Sequence, residues 1–124
     1  MLAMLAAKED PAVDKQEGLW RRALQQAPKS PVALKGLAWT LIENGRGAEA
    51  LPLAARAIER APWDWRAIDT YAAALFVVGR CREAAATEKR ALDQVSESER
   101  AHKDIAAIEK NLAMYQQTCP EDTP

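Results

Sequence analysis

Few residues in this chain have the type and spacing to do chemistry. His102 is the only histidine among 124 residues. A catalytic triad or a histidine metal site would therefore need distant partners, and no ligand spacing surrounds it. A solvated or packing residue is the simpler role. The two cysteines, Cys81 and Cys119, do not form a CxxC pair, so the local pattern of zinc or thioredoxin-like chemistry is missing. No Gly-rich phosphate loop is present, and two of the five glycines, Gly45 and Gly79, fall where helices should end. The Glu-Asp, Glu-Lys-Arg and Ser-Glu-Ser-Glu-Arg runs read as solvated helix faces and caps, and Arg21-Arg22 is a lone basic pair. These residues predict no enzyme activity, no cofactor and no metal.

The elements that must position them follow from composition. The chain is 48% hydrophobic but only 6% aromatic, and roughly one residue in five is alanine. Alanine favours helix and is poor in strands, so close-packed helices are expected in one domain. Seventeen basic and 18 acidic side chains give a net charge of −1, too balanced for nucleic-acid binding. The apolar run from Met1 to Ala7 is too short for a membrane span of about 20 residues. With no basic segment before it, it is also a poor signal peptide. The chain also reads as a domain of a longer protein, in which case targeting information lies elsewhere.

A period of 34 residues organises the sequence. It relates Ala38 to Ala72, Leu41 to Leu75, Gly45 to Gly79, Arg46 to Arg80, Glu49 to Glu83 and Ala50 to Ala84. Ala23, Ala57 and Ala91 carry the register over three copies, as do Arg22, Arg56 and Arg90. Residues 31–64 and 65–98 share nine identities, where chance at this composition gives about three. Each copy reads as two helices. Leu34, Leu37, Ala38 and Leu41 form one apolar face, ended by Asn44-Gly45. A second helix runs from about Ala48 to Arg60 and stops at Ala61-Pro62. In the next copy Asp64 is the expected N-cap, with Ile68, Tyr71, Ala72 and Leu75 inward and Gly79 as the break. Pro52 lies inside a predicted helix and predicts a tighter start or a bend. Glu88 and Ser96 stand at positions where apolar and proline residues are expected.

This pattern resembles the tetratricopeptide repeat, a 34-residue helix–turn–helix unit. The first full copy supplies Leu34, Leu37-Ala38, Leu41, Ala50, Ala54, Ala57 and Pro62, and the second Ile68, Tyr71-Ala72, Leu75, Ala84 and Ala91. The small residues let paired helices approach, because larger side chains there would overpack. The resemblance implies an all-α, right-handed α-solenoid of about three hairpins with a C-terminal capping helix. The expected divisions are a partial or shortened repeat over 1–30, repeats over 31–64 and 65–98, a capping helix over 99–118 and a tail over 119–124. Residues 1–8 would be a shortened first helix, and Ala101, Ile105, Ile108, Leu112 and Tyr115 would form the stripe of the capping helix. That helix should run alongside the first helix of the second copy. Cys81 and Cys119 then come within reach of a disulfide if the chain folds back at Thr118-Cys119-Pro120, the alternative being two unpaired thiols.

In this family the first helices line a concave groove that binds peptides or protein segments. By that resemblance Lys35, Trp39, Ile42 and Glu43 line it from the first copy, and Arg66, Asp69, Ala73, Phe76 and Val77 from the second. Lys103, Ala107, Lys110 and Asn111 follow from the capping helix. Trp39, Ile42, Phe76 and Val77 would make an apolar patch, with Trp39 and Phe76 as anchors. The alternative is that neighbouring helices cover them. The carboxylate clamp of some family members is not reproduced: Trp39 stands where an asparagine is wanted, and Asp69 adds repulsion. The expected function is non-catalytic protein–protein interaction, with a peptide or protein partner, no nucleic acid and no membrane insertion. A structural spacer or homodimerisation unit, pairing through the N-terminal hairpin with Leu2 and Leu5, is the competing reading. The compartment expected is cytoplasmic, or periplasmic if Cys81 and Cys119 are bridged.

Overall fold

The computed structural model describes residues Pro11–Cys119. Six α-helices follow one another, α1 (Pro11–Gln26), α2 (Pro31–Glu43), α3 (Gly47–Arg60), α4 (Trp65–Val77), α5 (Cys81–Asp93) and α6 (Lys103–Thr118), with a short 3₁₀ turn at Glu97–Glu99. Among the described residues there are no strands. The shortened helix expected over residues 1–8, the Leu2/Leu5 dimer contact and the tail from Pro120 onward lie outside the described residues.

The chain chemistry at the helix ends sets the repeat. Ser30 accepts from Ala33 N at 3.2 Å and caps α2, with Pro31 in its first turn. Asp64 caps α4 by accepting from Arg66 N at 3.0 Å. The turns after α2 and α4 are the same object 34 residues apart. Gly45 and Gly79 adopt φ of 76° and 92°, a left-handed conformation that costs a glycine little. Arg46 N then donates to Leu41 O (2.8 Å) and Gly45 N to Ile42 O (3.1 Å). Arg80 N to Leu75 O (2.9 Å) and Gly79 N to Phe76 O (3.0 Å) repeat that pair of bonds. Each turn is followed by the same side-chain ion pair, Arg46–Glu49 and Arg80–Glu83. Pro52 does not break α3, which runs unbroken from Gly47 to Arg60 with the proline ring on its exposed face.

Packing follows the alanines. Ala38, Ala50, Ala54, Ala57, Ala72, Ala84 and Ala91 are all fully buried. Leu37, Leu41, Ala50 and Ala54 form one core cluster between α2 and α3, backed by Trp20 and Leu24 of α1. Ala72, Leu75, Ala84 and Ala85 form its counterpart between α4 and α5. The capping helix packs on α5 and closes over α4 in the same direction, since Ile105 and Ile108 join Trp65 and Ile68 while Tyr115 stacks on Phe76 with ring centroids 4.6 Å apart. It begins later than the sequence pattern predicts. Ala101 is exposed and outside α6, because Ser96 and Glu99 form a capping box that winds the preceding turn as 3₁₀. His102 is the N-cap of α6, its Nδ1 accepting from Asp104 N at 3.1 Å. Cys81 and Cys119 are joined, with Cα atoms 5.6 Å apart, so the end of α6 is tied to the start of α5.

Trp20 rests against α2 at Gly36, where a Cβ would overlap its indole ring. Gly36→Ala is expected to displace that ring. Overpacking costs about 1–3 kcal/mol and the gain in helix propensity returns about 1 kcal/mol. A net loss of roughly 1 kcal/mol in urea unfolding, with a shifted tryptophan emission, is the expected result. An unchanged midpoint would show that Trp20 is not held there.

Candidate functional site

The inner face carries an open cavity of about 480 Å³, bordered by α1, α2, α4 and α6. Its residues are placed by helical spacing. Val32, Lys35 and Trp39 lie three and four residues apart on one side of α2, and Trp65, Arg66, Asp69 and Thr70 do the same on α4. Asp104, Ala107 and Ile108 come from the first turns of α6, and Trp20 reaches in from α1. Leu34, Leu37 and Leu41 face the opposite way into the core, which is why α2 presents Trp39 outward at 42% exposure.

The charges around the cavity are paired with one exception. Lys35 Nζ lies 3.0 Å from Asp64 Oδ2, so the α4 N-cap also neutralises the α2 lysine. The Arg66 guanidinium sits 4.1 Å from the centre of the Trp65 ring and 3.7 Å from Asp104 Oδ2. Trp65 is itself a buried brace, donating from Nε1 to Glu99 Oε2 at 3.1 Å. That bond, helped by Ser96, holds the Glu99 carboxyl below the ordinary carboxylate range. Asp69 forms no ion pair among the described residues, and its Oδ1 is buried without a hydrogen-bond donor.

Behind Asp69 lies Glu88 of α5, fully buried, with neither carboxyl oxygen receiving a protein donor. Burial, and then the facing Asp69, push the Glu88 carboxyl up to about 10. Burial also raises Asp69, against the influence of Glu88 and Asn111. Two carboxyls facing each other in a buried site resist carrying two negative charges, and a protonated Glu88 can give its hydrogen to Asp69. Tyr115 is raised as well, through burial and then the nearby Glu88 and Asp69 carboxyls.

Of the residues expected in the groove, Lys35, Trp39, Arg66, Asp69 and Ala107 meet around this cavity. The proposed four-residue apolar patch is not assembled. Phe76 is half-buried, with one ring face stacked on the buried Tyr115, and it does not line the cavity. Ile42 is half-buried against the α2–α3 core and Ala73 is buried, while Val77 is exposed, as expected, but lies beside Gly47 of α3 and outside the cavity lining. Glu43, Lys103 and Lys110 are exposed away from the cavity lining, and Asn111 faces the Asp69–Glu88 pair. Sequence reasoning missed Trp20, Trp65 and Asp104. Trp20 left a signal, since a bulky ring stands where later copies have Ala54 and Glu88. Among the described residues no group of three or more His, Cys, Asp or Glu is placed to hold a metal ion. No described helix is long and apolar enough to cross a membrane.

No protein-family model matches the chain, and no curated protein sequence does. A solved structure of MamA ("MamA MSR-1 C2") resembles it with a TM-score of 0.60 and 25% sequence identity over 88% of this chain. The chain spans 63% of the length of that MamA chain. MamA is a helical repeat protein of tetratricopeptide type, so this all-α chain shares a tetratricopeptide-like repeat fold.

Proposed function

We propose that the chain is a tetratricopeptide-repeat protein that works without catalysis, as an adaptor or assembly module holding a peptide or protein segment in its inner groove. The observation that carries this is the cavity itself. It is open, its main walls are first-helix positions of two successive repeats joined by α1 and the capping helix, and it keeps a large aromatic side chain, Trp39, partly exposed at its edge. The MamA likeness supports an interaction or assembly role at the level of fold. The cystine between Cys81 and Cys119 fits an oxidising compartment.

Selection of displayed random peptides on the folded chain tests the reading. Trp39→Ala is expected to weaken the selected peptides at least tenfold, about 1.4 kcal/mol, with helicity unchanged. Peptides that bind the folded variant as tightly would place recognition elsewhere.

A second reading, self-association, has its own observation. The flank between α1 and α2 is a further open cavity of about 470 Å³, lined by Gln16, Leu19, Trp20, Ala23 and Trp39, and Leu19 is 52% exposed. Light scattering on Leu19→Lys distinguishes it: a dimer that becomes a monomer favours pairing through this end.

A further inference from the structure

Aromatic walls and an uncompensated carboxylate together select a cation. Trp20, Trp39 and Trp65 all border the main cavity. Indole faces carry negative potential and attract ammonium and guanidinium groups. The chain already makes such a contact at the cavity edge, where Arg66 lies over Trp65 and reaches Asp104. The two cations of the cavity, Lys35 and Arg66, are both matched, by Asp64 and Asp104. Asp69 is left over. Glu88 behind it is fully buried while Asp69 is half-buried at the cavity wall, so burial disfavours charge more strongly on Glu88 and leaves Asp69 as the carboxylate that faces the cavity. A neutral anchor filling the cavity would desolvate that charge with nothing in return. An anionic anchor would add repulsion. A basic one would bring the missing countercharge.

We propose that the cavity receives a lysine or arginine side chain of the bound segment, its aliphatic stem against the indoles and its charged head at Asp69. This rests on the groove reading above and specifies the chemistry of the partner: a segment with a basic anchor residue. The stem gains apolar burial, and the head gains a charge-assisted hydrogen bond in a partly dry site.

The probes are small and defined. Butylguanidinium chloride, the neutral butylurea and the anionic pentanoate are titrated into the full chain while the tryptophan indole N–H resonances are followed. Butylguanidinium is expected to shift Trp39 and Trp65 saturably, at least tenfold more tightly than butylurea, with no saturable shift from pentanoate. Asp69→Asn is expected to weaken butylguanidinium at least fivefold and leave butylurea unchanged. Trp39→Ala, at an exposed position, provides a second variant that keeps its fold and should lose the butylguanidinium response. Equal affinity for butylurea, or full butylguanidinium affinity in folded Asp69→Asn, overturns the proposal. The displayed peptides separate the two readings. Trp39-dependent peptides that carry Lys or Arg and are lost in Asp69→Asn support the basic anchor. Trp39-dependent peptides without a basic residue leave the groove standing and end this inference. No Trp39-dependent peptide at all counts against the groove itself.

Discussion

Replacing Cys81 and Cys119 together with alanine is expected to cost about 4 kcal/mol of folding stability, from the loop entropy of a cross-link spanning 38 residues. For a chain of this size that is on the order of 15 °C in Tm. The position of the bridge explains why the effect should be large. The capping helix has a partner on one side only. It buries three residues, Ile105, Ile108 and Tyr115, against α5 and the edge of α4. The bridge fixes its last turn where Tyr115 covers Phe76. Cys81 is 6% exposed, and alanine fits its site with little loss beyond the cross-link. Urea unfolding of the oxidised chain, the reduced chain and the double variant is the measurement. The reduced and double-variant midpoints should fall together, well below the oxidised one. Three equal midpoints would mean that the bridge does not form in solution.

Glu88→Gln is expected to act in the opposite direction, and to do so through pH. The Glu88 carboxyl is raised from 4.5 to about 10 in the folded chain, first by burial and then by Asp69. Below about 4.5 both folded and unfolded chains hold the proton, and the contribution is at its full value. Above that the unfolded chain ionises while the folded one keeps its proton, so stability is lost as pH climbs toward 10. Asp69 is raised too and works in the same sense. Glutamine has nothing to ionise and can donate from its amide to Asp69. The variant should therefore be more stable at pH 8 by at least about 1–3 kcal/mol, because the unfolded parent chain gains by ionising Glu88 and the unfolded variant does not. It should also flatten the fall between pH 5 and 9. Denaturation midpoints at pH 5, 7 and 9 check this, and parallel curves for the two proteins would contradict it.

The fold was legible because its determinants are local and periodic. Gly45 and Gly79, the Asp64 cap and the buried alanines announce themselves in one dimension, since a turn or a helix stripe needs only neighbours within a few residues. Placing α6 alongside α4 put Cys119 within reach of Cys81, but two unpaired thiols stayed open as the alternative until the packing joined them. The site was less legible because it depends on contacts between helices. Asp69 and Glu88 are 19 positions apart in sequence, and only the packing of α4 on α5 brings their carboxyls together; in sequence Glu88 was merely a departure from an apolar position. Phe76 repeats Ile42 in register, yet the stripe could not show that Tyr115 would lie on it. Trp65 occupies a position where the first copy has Pro31, so the repeat gave no reason to expect a ring there. The start of α6 was misplaced for a local reason, since the Ala101 spacing suited a helix while Ser96 and Glu99 favoured a tighter turn.

The twin turns at Gly45 and Gly79 have a consequence for how such a chain can change length. Their backbone bonds and their Arg–Glu pairs match across 34 residues, so the backbone leaves both turns along equivalent paths. A segment running from one turn to the next is a cassette with interchangeable ends. Duplicating it would lengthen the concave face by one unit while Cys81 stays with the final helices, and the cystine would still close the last hairpin. Length and cross-linking are thus encoded at separate places: the glycine turns meter the number of units, and the cysteines tie α6 to α5.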